Sequence, residues 1–208
     1  MKMPEHKIQT KDQSTWINFK DNGSPLSYIS ESTAQRNYNE LSSFNIDVIG
    51  DVKIMITKRK GMAGVFIPDI RPEDGAKIYY VACLVYFKHK VIDELPDFLH
   101  GKEQLQIDRV ATVPELEGLK LATHVYSTLT EHGYVVVSDT VQYEGGKRLW
   151  KKLSLEKQIN VFIYDRETKD IFRDESGQPI KYNSLNIPDE QIWLTGKPGQ
   201  RFILIAHK

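Results

Sequence analysis

Residues 105–137 run LQIDRVATVPELEGLKLATHVYSTLTEHGYVVV, and their pattern decides the fold. Leu105–Val113 is an apolar, β-branched run closed by Pro114. It predicts a strand stopped by a residue that cannot donate to a sheet ladder. Across Gly118–His132, residues Leu121, Ala122, Val125, Tyr126 and Leu129 recur at helical spacing, and Gly133 supplies a stop. That spacing turns Leu121, Val125 and Leu129 inward and Lys120, Thr128 and Glu131 outward. Tyr134–Val137 is a second, short, buried strand. The connection is long enough for a right-handed crossover between parallel strands.

Downstream, Val141–Leu153 has helical spacing through Val141, Gly145, Leu149 and Leu153, with Trp150 expected in the core, and Ile159–Tyr164 is a strand. Ile171–Phe172 and Ile192–Leu194 are expected to extend the sheet, and Arg201–His207 to close it. Upstream, Lys77–His89 (KIYYVACLVYFKH) is the most apolar segment and predicts a central strand. Asp47–Thr57 and Val65–Ile67 predict two more strands, separated by the basic turn Lys58–Gly64. Val91–Leu99 is left as a loop or short helix. Ser27–Phe44 has a loose helical pattern through Tyr28, Ala34, Tyr38 and Leu41, and Ser14–Phe19 could be a short strand. The expected class is α+β, a mixed and mostly antiparallel sheet with one parallel β-α-β crossover. Residues 1–45 form an N-terminal extension and helix of the same domain, and residues 46–208 its main body with an elaborated C-terminal hairpin.

Composition narrows the function classes. The chain has 208 residues, ample for a sizeable core, and equal counts of Lys+Arg and Asp+Glu, 28 each. That balance gives no global attraction to nucleic acid or membrane. The one cysteine, Cys83, lies in the apolar run Tyr79–Phe87 and is expected as a buried strand residue, not a nucleophile. The polar N-terminal stretch has no secretory apolar region and no 18-residue apolar run occurs, so the expectation is a cytoplasmic protein without a membrane span. The six histidines show no paired metal-ligand spacing, so no metal is expected. Lys147, Arg148, Lys151 and Lys152 make a basic cluster on the second helix, suited either to phosphate or to solvent.

The chemistry centres on the start of the first helix. Its leading N–H groups have no internal acceptors and its dipole favours an anion there. The small residues Gly118 and Ala122 would let an anion approach. The order of strand, Pro-Glu-x-x-Gly, helix, Gly, strand, Ser138-Asp139, then Leu149-Trp150-x-x-Leu153 resembles the GNAT N-acetyltransferase superfamily, including members encoded by bacteriophages. The resemblance covers Lys77–Tyr164, about half the chain. It implies a GNAT-like acyl-CoA N-acyltransferase fold and acetyl-CoA as cofactor. In that family a pattern Arg/Gln-x-x-Gly-x-Gly/Ala at the helix start holds the coenzyme A pyrophosphate on backbone amides. Here it aligns with Glu117-Gly118-Leu119-Lys120-Leu121-Ala122. Gly118 and Ala122 fit, whereas Glu117 replaces the usual Arg or Gln and Lys120 the central glycine.

By the same resemblance Val110, Val113, Glu117, Gly118, Leu119, Lys120, Leu121 and Ala122 are the cofactor-binding candidates. Asp108 on the preceding strand is a positional candidate for the base, Tyr143 for the acid, and Asp139 for a polar group facing the acceptor. Acetyl transfer needs an amine deprotonated, a carbonyl oxygen stabilised and a thiolate released. The leading expectation is transfer from acetyl-CoA to an amine of a small molecule or protein. One alternative is a GNAT-fold protein without transfer activity, acting as a binding or inhibitory module. Another is a nucleic-acid modification enzyme on the same fold, supported by the basic helix.

Overall fold

The computed structural model describes residues 28–59, 61–89, 92, 95–139, 144–193 and 201–208. The expected Ser14–Phe19 strand and Tyr143 lie outside them. The protein is α+β, with a mixed, mostly antiparallel sheet and one parallel pair. It divides into two compact units. One holds the chain up to Val85 together with Val110–Ala122; the other holds Tyr86–Arg109 and Thr123–Lys208.

The first unit contains β1 (Tyr28–Ser30), α1 (Glu31–Asn37), β2 (Tyr38–Ile46), β3 (Gly50–Thr57), β4 (Met62–Ile70) and most of β5 (Lys77–His89). Its strands run in the order β2-β3-β4-β5, with β1 antiparallel to β5. The helical pattern expected over Ser27–Phe44 holds only in α1. Ser30 caps that helix by accepting from the Thr33 N–H at 3.2 Å, while the Lys58 ammonium donates to the Gln35 carbonyl at 2.9 Å, the favourable sign at a helix C-terminus. From Tyr38 onward the chain pairs with β3, so Tyr38 and Leu41 sit on a strand. Pairing across the sheet overrides the local spacing there. β4 is also longer than the expected Val65–Ile67, because the whole Met62–Ile67 run is buried. At Gly64 a Cβ would fall 2.4 Å from the Cys83 carbonyl oxygen, so β4 and β5 approach there only because the side chain is absent.

The second unit contains β6 (Gln104–Thr112, whose end lies in the first unit), α2 (Leu121–Glu131, which begins there), β7 (Val135–Val137), α3 (Glu144–Leu153), β8 (Asn160–Asp165), β9 (Asp170–Ile171), α4 (Asp189–Ile192) and β10 (Phe202–His207). Its strand order is β6-β7-β10-β8-β9. β6 and β7 are parallel, with Gln104, Leu105 and Gln106 opposite Val135, Val136 and Val137, and α2 makes the crossover. β8 and β10 pair antiparallel over Asn160–Asp165 and Phe202–His207. Ile192 belongs to the single helical turn α4, not to a strand. Pro188 at its N-cap and two acidic residues in its first turn favour that start; Leu194 lies outside the described residues.

Leu121, Val125 and Leu129 of α2 are buried, as their spacing requires, and Lys120 and Glu131 are exposed. Thr128 is buried instead of exposed, as are Thr123 and Thr130. At 3.6 residues per turn Thr128 falls beside Leu121 and Val125, on the face they bury, whereas Tyr126, on the other side of the helix, meets Trp150 of α3 edge-on, with ring centroids 5.7 Å apart. Trp150 is 1% exposed and is core. Beneath the strands, Val135, Val137, Phe162, Tyr164, Ile203 and Ile205 pack with Ile92, Leu95 and Leu99 of the β5–β6 connection. No helix among the described residues is long and apolar enough to cross a membrane.

Candidate functional site

In the first unit, β6 ends at Thr112, and the Val113 N–H donates to the Ala82 carbonyl at 3.0 Å. Pro114–Leu116 then forms one 3-10 turn, closed by the Leu116 and Glu117 N–H groups on the carbonyls of Val113 and Pro114. α2 begins only at Leu121, three residues later than the Gly118 start expected from the spacing. The physical reason is conformational. Gly118 has φ +89° and Lys120 φ +56°, and a left-handed backbone cannot continue a right-handed helix. The N-terminal amides of α2 are therefore those from Leu121 onward.

Within this loop Val113 is buried, Val110, Leu119 and Ala122 are half-buried, and Glu117, Gly118 and Lys120 are exposed. Leu121 is 2% exposed and anchors the helix start in the core, so its side chain is unavailable to a ligand while its N–H remains at the helix end. A Cβ on Gly118 would meet nothing within 4 Å. Its glycine is thus demanded by φ, and the space beside it is open. Lys120 occupies a conformation that glycine enters freely and other residues rarely adopt.

In the second unit, β6 pairs with β7 only through Gln104–Gln106. Beyond that, β7 ends, and Ser138 turns to β10: its N–H donates to the Leu204 carbonyl at 2.8 Å, and its Oγ accepts from the Leu204 N–H at 3.0 Å. Ser138 is completely buried, so its role is to tie β7 to β10. β6 itself continues through Asp108 and Arg109 to Thr112. The Gln106 carboxamide reaches the Ser138 carbonyl at 3.4 Å at the place where the strands part.

Asp108 is exposed, and its carboxylate is paired with the Lys88 ammonium on β5. The hydrogen bond to Asp108 raises the Lys88 pKa, and Asp139 adds a longer-range attraction. Lys88 is a partner the sequence pattern did not reveal, because it stands twenty residues upstream of Asp108. Cys83 is completely buried, and desolvation pushes its thiol up to about 12. Such a thiol stays protonated and unreactive. Among the described residues no group of three or more His, Cys, Asp or Glu could hold a metal ion.

Two carboxylates meet three of the four basic residues of α3. Lys147 and Lys151 both bind Asp189 of α4, at 2.8 and 3.0 Å, and Arg148 binds Glu144 at 3.1 Å. The two lysine hydrogen bonds hold the Asp189 carboxyl below its ordinary value. No protein-family model matches this sequence, and no curated protein matches it. The functional reading accordingly rests on the geometry above.

Proposed function

We propose that this chain is a GNAT-like N-acyltransferase that uses acetyl-CoA and transfers its acetyl group to an amine. The observation that carries the reading is the β6–α2 loop. Two left-handed residues, Gly118 and Lys120, lead into an 11-residue helix in the connection between β6 and its parallel neighbour β7. The N–H groups at that start favour an anion such as a pyrophosphate. No atom lies within 4 Å of a Cβ built at Gly118, which leaves room for such a ligand, and the exposed Lys120 brings a positive charge three residues from the exposed Glu117. On this reading Gly118–Ala122 hold the coenzyme A phosphates, Val110 and Val113 border the loop, and bound acetyl-CoA supplies the thioester. Asp108 is the proposed base, Asp139 faces the acceptor, and Tyr143 is the proposed acid.

One observation favours a second reading, a GNAT-fold binding or inhibitory protein without transfer activity. The Asp108 carboxylate is already engaged by the Lys88 ammonium, so an acceptor amine would have to compete with that pair to reach it. The nucleic-acid reading draws less support, because three of the four basic residues of α3 already contact a carboxylate, Lys147 and Lys151 sharing Asp189. Calorimetric titration with acetyl-CoA and with coenzyme A separates the first two. The enzyme reading expects saturable binding of both. Absence of binding at millimolar ligand, reversed by Glu117→Arg with Lys120→Gly, would establish a degenerate site. Absence in both proteins would sink the cofactor assignment.

A further inference from the structure

We draw no further inference here: the strongest candidate, the cleft of about 560 Å³ between the Asp97–Leu99 turn and the β9 hairpin, has its Asp170 and Arg173 side chains spent on each other and on the Gly177 carbonyl, and nothing in the structure shows what would fill it.

Discussion

Replacing Gly118 by Ala and Lys120 by Gly should move stability in opposite directions, for one reason. Both residues sit at positive φ, +89° and +56°. A side chain in the left-handed region costs roughly 1–2 kcal/mol. Glycine also leaves the unfolded chain freer, which offsets about 0.4–1 kcal/mol of that. No atom lies within 4 Å of a Cβ built at Gly118, so Gly118→Ala adds no clash and its cost is conformational alone. The net expectation is a loss of roughly 0.5–1 kcal/mol for Gly118→Ala and a gain of similar size for Lys120→Gly. In a chain of this size that is a change of about 1–4 °C in Tm, downward for the first and upward for the second. Thermal and urea unfolding of the three proteins measures it without reference to activity. If Lys120→Gly destabilises, or if both variants shift the same way, the loop does not have the left-handed turn on which the anion site depends.

Other outcomes follow from the packing and the charges. Leu129, completely buried in α2, should cost roughly 2–5 kcal/mol when cut to Ala; Val125→Asp, also fully buried, should prevent folding or lower Tm further, and unchanged unfolding of both would mean the wrong helix face is packed. The Arg201 guanidinium holds the Asp165 carboxyl, 6% exposed, below its ordinary value, chiefly by hydrogen bonding. A carboxyl depressed in the folded state stabilises fully above its unfolded pKa of about 3.9, and that contribution is lost as pH falls through the lower folded value. Arg201→Ala should therefore lower stability near neutral pH by roughly 1–3 kcal/mol and flatten the acid limb of a stability profile; a parallel profile would show that the pair is not linked to folding.

The β-α-β unit was legible because several signals agree there. Pro114 ends a strand, five apolar residues share a helical spacing, and Gly133 closes it. Lys77–His89 was read to its ends for a similar reason, since its run is apolar throughout and bounded by charge. Tyr38 and Leu41 misled because their spacing suits a helix face, whereas the pairing of β2 with β3 is a long-range fact. Thr128 misled because a threonine gives no apolar signal, although at 3.6 residues per turn it lies beside Leu121 and Val125 on the buried face. At the site, Gly118 was legible as special, but the left-handed backbone at Lys120 was not, because lysine rarely adopts it. The ion pairs from Lys88 to Asp108 and from α3 to Asp189 join residues far apart in sequence, so no local pattern could show them.

The central claim is that an anionic cofactor meets the start of α2. Amide chemical shifts, recorded while coenzyme A is added to the full-length protein, test it most directly. The account predicts that the N–H signals from Gly118 to Ala122 move most, with saturation, and that Glu117→Arg tightens the response by about 2–5-fold, the equivalent of roughly 0.3–1 kcal/mol for one favourable charge at a helix terminus. Signals from Gly118 to Ala122 that stay fixed at millimolar coenzyme A, or shifts confined to other segments, would contradict it.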